Sequence, residues 1–473
     1  MEKNNAQEEI IHTVNGQLLV VACPGSGKTT TLLRRIHYMI HEAKIPAQQI
    51  LMVTFSSAAA KEMKTRYQKK FGMDAVTFST IHSMCMSILK KFGGYTKESI
   101  LSDPREYFYE VLRKQKGIND INEFITGLIT EISVINNNSI DLNSYKPKCT
   151  KDKNLFLKLI NGYQEYKEEL HLIDFDDMLQ KAYEIMVNDK ECLDFLRNKY
   201  RYIQVDEYQD TNLIQKDIIY LLAGQDGNLA VVGDDDQSIY AFRGAKPEIM
   251  LNFQKEYPKS KMVKMSTNYR SGKTIISEAD RVIKSNTNRF QKDFIGFKPE
   301  NGAVEYIVTK EKKDEILKVF SRIKILLNDG EDPADIAVLF RTNRQAEKMA
   351  AILFRNQIPF QSNEKIQSKY EHWMFQDLQA YYRLANKHLD NKSSDSRRDL
   401  SRVLNHPNRY LFGYDYIVHG LNRRAMKATV YAKEKEQWKL NAAEGNIDLF
   451  FILLKNLRGK KPSDFLRSLY RQI

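Results

Sequence analysis

Residues 16–41 read GQLLVVACPGSGKTTTLLRRIHYMIH, and this stretch decides the fold. The apolar run QLLVVA at 17–22 is short enough for a buried strand, and the segment from Lys28 onward carries helical spacing. Between them lies a glycine-rich turn, the arrangement of a P-loop. Gly25 and Gly27 let backbone N–H groups wrap phosphates at a helix N-terminus, Lys28 reaches the β and γ phosphates, and Thr29 can ligate Mg²⁺. Ser26 and Thr30 complete the expected nucleotide set. Position 22 is Ala where the general motif has Gly. A glycine-rich turn without a ligand is the plainer alternative, but a strand before it, a helix after it and the GKT core favour phosphate binding.

A second apolar run, 202–205, ends in DEYQD at 206–210, which sets carboxylates at the C-terminal edge of the same parallel sheet, where ligands of such folds bind. Asp206 is expected to hold Mg²⁺, and Glu207 to orient and deprotonate the water that attacks the γ-phosphate. Alone, such a pair is often a solvated turn; behind a P-loop it is the expected second half. A nucleoside triphosphate with Mg²⁺ is therefore the expected ligand. Runs at 50–55 and 229–232 add strands to this first α/β unit, and runs at 262–265, 304–308 and 336–340 indicate a second one. The β signal vanishes between about 94 and 199, where 105–114 and 177–186 read as amphipathic helices inserted into the first unit. The pattern is helical again from about 370, broken by the polar stretch DNKSSDSRRD at 390–399, which reads as a loop.

Seven segments, in order, resemble motifs of the UvrD/Rep/PcrA group of superfamily-one helicases. Gln7 stands 21 residues before Lys28, as in an adenine-reading glutamine motif; TFSSAAAKEM at 54–63 and FSTIHS at 78–83 resemble the family's next two elements. The DEYQD box follows, then GDDDQSIYAFRGA at 233–245, NYRS at 268–271 and VLFRTN at 338–343. The resemblance implies an α/β fold of RecA-like P-loop parallel sheets with helical insertions. It assigns 1–93 and 200–268 to a first RecA-like ATPase domain, 94–199 to a helical insertion, 269–369 to a partial second RecA-like domain and 370–473 to a partial basic helical subdomain.

By the same resemblance Gln237 and Arg270 sense the γ-phosphate, Tyr269 stacks on adenine, and Phe55, Tyr240 and Phe242 hold single-stranded DNA with His82 nearby. These chemistries suit their residues, since guanidinium forks onto phosphate oxygens and aromatic faces stack on any base. The family usually has Trp at position 242, and Asn and Lys at Ser57 and Ala58. DFDD at 174–177 resembles a segment the family carries before its DExxD box; helix N-capping explains its acids better than a metal site. The family's TxHxxKGLE-like and VAxTRA-like motifs have no counterpart, so the chain is expected to be truncated before them, ending at RSLYRQI. The implied activity is ATP-driven movement on single-stranded DNA with unwinding at single-strand/duplex junctions. A non-motor module that binds nucleotide and DNA without productive turnover is the alternative, and an ATPase arm of a helicase-nuclease is a third reading.

Bulk composition agrees with packed domains. At 473 residues the chain exceeds one ordinary core, and 42% hydrophobic against 28% charged residues argues against disorder. No apolar run is long enough for a membrane span and the opening MEKNNAQEEI has no signal-peptide core, so a cytoplasmic protein with no membrane partner is expected. Cys23, Cys85, Cys149 and Cys192 form no CxxC pair and read as reduced thiols. The net charge is +13, and 391–473 holds 17 Lys/Arg against 8 Asp/Glu, making that segment a candidate nucleic-acid face.

Overall fold

A computed structural model describes residues 4–101, 103–112, 121–362, 373–386, 394–405, 409, 411, 416–418, 420–433 and 436–472. The apolar runs of the first part assemble into one parallel sheet of β1 Gln17–Ala22, β2 Ile50–Thr54, β3 Thr77–Thr80, β4 Tyr202–Val205, β5 Asn228–Gly233 and β6 Lys261–Met265. Their spatial order is β3-β2-β4-β5-β1-β6. Every residue of β1 and β2 is buried, because helices cover both faces of a parallel sheet and a strand there has no solvent side to mark with polar residues. Side chains alternate between two cores. Leu19, Val21, Leu51 and Val53 pack on one face, and Leu18, Val20, Ile50 and Met52 on the other. Each such side chain contributes about 1.5–3 kcal/mol by leaving water.

The α/β fold with a RecA-like parallel sheet is thus present, with two corrections to its strands. Residues 262–265, read above as part of a second unit, pair with β1 in the first sheet, Leu19 opposite Met262. An apolar run does not encode its partner. Residues 304–308 and 336–340 form no strand; Val308 and Leu339 are exposed, and no neighbouring strand supplies their ladder bonds. Tyr306–Ile473 contains no strand among its described residues.

Contacts group Met1–Glu305 into one compact unit and Tyr306–Ile473 into another. Within the first, the described residues of 94–199 include the helices Arg105–Leu112, Ile121–Asn137, Lys153–Glu169, Phe175–Asn188 and Lys190–Lys199, with Phe108, Ile125, Leu128, Phe156 and Leu159 forming a small core of their own. Asp174 caps the helix Phe175–Asn188, accepting from the N–H groups of Asp176 and Asp177 at 2.9 Å each. Buried Lys167 donates to Asp174 at 2.8 Å and to Asp177 at 2.6 Å. The DFDD acids therefore serve as a cap and an ion pair. In the second unit, Ile323, Met349 and Leu353 join the helices Lys312–Asn328 and Asn343–Arg355. A separate helical core gathers around Leu400, Val403, Ile447, Phe450 and Leu457. The stretch 390–399, read as a loop, is helical from Ser394, because Leu400 and Val403 pull that segment into this core. Part of the basic surplus there is spent internally: buried Arg409 donates to the carbonyls of Val403 and Leu404 at 3.0 and 3.1 Å, and Arg423 and Lys427 pair with Asp448. No helix of the described residues is long and apolar enough to cross a membrane.

Asp176 supplies a stability test. It accepts from Ser133 Oγ at 3.0 Å and Asn137 Nδ2 at 2.6 Å, yet burial, reinforced by the Asp174 charge, pushes its carboxyl up to about 6 from 3.8. A raised carboxyl pKa means the folded state loses stability as pH rises from 3.8 through 6. Asp176→Asn removes that titration and keeps an acceptor. Its stability relative to wild type is expected to improve by about 1–2 kcal/mol on going from roughly pH 4.5 to pH 8, since each pH unit between the two pKa values is worth roughly 1.36 kcal/mol before screening. Urea midpoints of both proteins at the two pH values check this, and a constant difference would refute it.

Candidate nucleotide site and aromatic face

β1 delivers the chain to Cys23, and the helix Lys28–His41 begins five residues later. Its N-cap, Gly27, lies in the left-handed region at φ 82° and makes no side-chain cap bond, leaving the first-turn N–H groups to a ligand. Gly25 is left-handed too, at φ 67°, and a Cβ there would meet Arg270 Cβ at 2.7 Å and Asn268 Oδ1 at 2.8 Å. The turn is a backbone cradle with no room for a side chain at Gly25. Gly25→Ala is expected to push Asn268 and Arg270 away, costing about 1–3 kcal/mol and weakening nucleotide binding. Parallel thermal melts with and without ATP check it, and a wild-type nucleotide shift in the variant would refute it.

Lys28 Nζ donates to Glu207 Oε2 at 3.0 Å, so the two halves of the expected engine meet. Glu207 itself sits at φ 51°, a strained conformation for a non-glycine residue, and Gln209 Nε2 holds the same carboxylate oxygen at 2.9 Å. The neighbouring acids are driven apart. Burial first, then the Glu207 charge, raises Asp206 to about 6 although Lys28 opposes this. Burial would also raise Glu207, but Lys28 and the Gln209 amide bring it below the usual carboxylate range. Asp210 is pushed up to about 7 by burial and by Glu207. Thr29 is half-buried on the first helical turn beside Lys28, and Thr30 is exposed. Ser26 Oγ and Asp210 Oδ1 are buried without a hydrogen-bond partner, and the polar groups of this corner are mostly oxygens. Such a set fits a hard divalent cation and phosphate, and the Thr29 hydroxyl and Asp206 carboxylate are the groups that would hold the cation.

The amino-terminal helix Asn5–His12 lies beside the glycine cradle. Arg34 pairs with Glu8 at 2.7 Å, and buried Arg35 donates to Thr13 O at 2.8 Å, clamping that helix onto the P-loop helix. Gln7 Nε2 consequently reaches Ser26 O at 3.0 Å. Tyr269 N–H donates to Gly25 O at 2.9 Å, its hydroxyl accepts from Asn4 Nδ2 at 2.8 Å, and its ring lies 4.9 Å from that of Phe297. Arg270 follows, its side chain exposed and its backbone N–H held by Asn268 Oδ1 at 2.8 Å. Gln237 is half-buried at the end of a short turn from Asp234. Asn4, Gln209 and Asn268 are contributors that the sequence reading does not single out; the last two lie inside the quoted motifs, where a polar residue between named ones is the available signal. The acids Asp234, Asp235 and Asp236 could together chelate a cation, but Lys292 Nζ lies 2.6 to 2.7 Å from all three and fills that position.

On the neighbouring strand ends Phe55 stacks on Tyr240 at 5.0 Å and 23°, and Tyr240 faces Phe242 at 6.0 Å. The Arg243 guanidinium lies 5.2 and 5.5 Å from the last two rings. Phe55 and Phe242 are exposed, so this is a ladder of aromatic faces open to solvent with a cation beside it. His82 stands apart from the stack, edge-on to Phe175 at 6.3 Å, its pKa lowered by burial. One cavity is nevertheless lined by Phe55 and His82 together with Asp206 and Glu207, so the aromatic and acidic groups share a wall.

The sheet, the glycine cradle and the strand-end acids define a P-loop nucleotide-binding α/β protein of RecA-like type. Comparison with known proteins sharpens this: residues 3–258 match the UvrD/REP helicase N-terminal domain, and residues 263–435 match the UvrD-like helicase C-terminal domain. The chain belongs to the UvrD/REP helicase family. It is 33% identical over 416 residues to the ATP-dependent DNA helicase PcrA of Staphylococcus aureus, covering 86% of this chain and 56% of that protein. Against the putative ATP-dependent DNA helicase YjcD of Bacillus subtilis it is 32% identical over 387 residues, covering 80% and 51%. The chain thus spans about half the length of these relatives. The expected truncation is not supported, because the C-terminal domain is represented in the match over 263–435.

Proposed function

We propose that this chain hydrolyses ATP with Mg²⁺ and couples turnover to movement along single-stranded DNA, acting where single strand meets duplex. One observation carries the reading: Glu207, paired with Lys28 at 3.0 Å, lines the same cavity as His82 and as Phe55, which is itself a rung of the open aromatic ladder. Phosphate arriving at the cradle competes for Lys28, whose ammonium then moves its partnership from carboxylate to phosphate oxygens. Glu207, still held by the Gln209 amide, is left to accept a proton from the attacking water. Mg²⁺, held by Thr29 and Asp206, would neutralise charge on the phosphates. Gln237 and Arg270 read the γ-phosphate, while Gln7 and Tyr269 read the base. Phe55, Tyr240 and Phe242 stack on bases, with His82 beside them.

The test is phosphate release with Mg²⁺ and ATP, with and without an oligo-dT strand, followed by strand displacement on a tailed duplex. Turnover is expected to rise at least about tenfold with the oligonucleotide, roughly 1.4 kcal/mol of barrier. Binding of both ligands without stimulation would replace the motor by a binding module.

A further inference from the structure

The turn Asp234–Gln237 is held from outside by a stretch that no motif marks. Lys292, with 2% of its side chain exposed, places Nζ 2.6 Å from Asp234 Oδ1, 2.7 Å from Asp235 Oδ1 and 2.7 Å from Asp236 Oδ2. Arg289 grips Asp236 through Nε at 2.7 Å and Nη2 at 2.6 Å, and Phe290 N–H donates to Asp235 Oδ2 at 2.8 Å. Three acids and two cations are thereby packed into a nearly dry site, where desolvation commonly cancels the attraction. Such a cluster is poor stabilising material and good positioning material, since three acids bind one ammonium in only one arrangement.

Its location says what is positioned. Lys292 lies just before β8 Ile295–Gly296, which pairs in parallel with β7 Thr267–Asn268, and β7 runs directly into Tyr269 and Arg270. The ladder is made by Ile295 N to Ser266 O and Phe297 N to Asn268 O, both 2.9 Å. At the other end, the acidic turn leads into Gln237 and then Tyr240, whose ring stacks on Phe55. Consecutive covalent or hydrogen-bonded links thus join the segment beside the P-loop to the aromatic face. We propose that Lys292, assisted by Arg289, is a positioning residue that couples nucleotide binding at Tyr269 and Arg270 to the set of the aromatic ladder. This rests on the reading of the site as a nucleotide- and DNA-binding engine. Lys292 touches neither ligand in this assignment.

Coupling between two sites is reciprocal, and this gives a readout that a merely structural role would not move. Oligo-dT affinity is measured with and without a non-hydrolysable ATP analogue, and analogue affinity with and without oligo-dT. The proteins are wild type, Lys292→Met, and the charge-balanced pair Lys292→Met with Asp235→Asn, which guards against unfolding by an uncompensated acid. Wild type is expected to show the same coupling factor in both directions, about 5- to 150-fold. In the folded variants that factor is expected to fall towards one in both directions, while each ligand's affinity measured alone stays within about threefold of wild type, less than about 0.7 kcal/mol. A retained factor in the folded double variant overturns the proposal, as does an equal loss of both separate affinities. A wild-type chain that binds neither ligand overturns the parent reading and this one together, whereas a coupled wild type with coupled variants overturns only this one.

Discussion

Glu207→Gln is expected to bind ATP at least as tightly as wild type and to hydrolyse it about 100- to 1,000-fold more slowly, with or without DNA. The first half follows from the ion pair. Glu207 holds Lys28 at 3.0 Å and so competes with phosphate for it, and removing the carboxylate charge releases the ammonium to the ligand. The second half follows from the loss of a positioned base, whose contribution is typically about 10²–10⁴-fold. Gln209, which holds the same oxygen at 2.9 Å, can still hydrogen-bond the amide, so the strained backbone at φ 51° need not relax. Lys28→Ala is the necessary contrast, because it should lose binding itself and leave Glu207 without its cation. Fluorescent-nucleotide titration and single-turnover hydrolysis separate the two effects. Parallel loss of affinity in both variants would show that Glu207 supports the pocket and does not act as the base.

The parts of this site that are legible in the sequence are those whose chemistry is local. The P-loop declares itself because the strand, the two glycines and the lysine are contiguous, and the acids at 206–207 because they end an apolar run. Parallel strands such as β1 and β2 are legible for a related reason: burial on both faces leaves an unbroken apolar run. β3 does not stand out as a strand because TFST at 77–80 is too polar, and its identity rests on pairing with β2. Segments 304–308 and 336–340 fail in the opposite sense. Their β-branched composition fits a pleated surface, but a strand also needs a neighbour, which composition cannot report. The Lys292 cluster is invisible for the same reason, since its partners lie 56 to 58 positions away and nothing around KDF at 292–294 marks a buried ammonium. Arg35 is similar: in the sequence it is one of two adjacent arginines, and only the fold makes it the clamp on Thr13. Contacts that orient catalytic groups are more often long-range than the groups themselves, so the sequence yields the reacting residues before their supports.

Tyr240→Ala is expected to weaken single-stranded DNA binding about 10- to 100-fold, and Phe55→Ala somewhat less, with ATP binding retained in both. Stacking of a base on an aromatic face is worth roughly 1–3 kcal/mol. Tyr240 is the middle ring, 5.0 Å from Phe55 and 6.0 Å from Phe242, so its removal deprives both neighbours of support. Because the rings are in contact, the double variant Phe55→Ala with Tyr240→Ala should lose less than the product of the single losses. Salt dependence distinguishes stacking from charge. An aromatic side chain releases no counterions, so the slope of log affinity against log salt should be unchanged in Tyr240→Ala while the whole line drops. Arg243→Ala should behave differently: its guanidinium lies beside the Tyr240 and Phe242 rings, and losing one phosphate contact should reduce the slope by about one. Anisotropy titrations of a labelled oligo-dT across a salt series read both quantities. If Tyr240→Ala flattened the salt slope and left affinity at high salt untouched, the rings would be supports for Arg243 and the DNA would be held by charge alone.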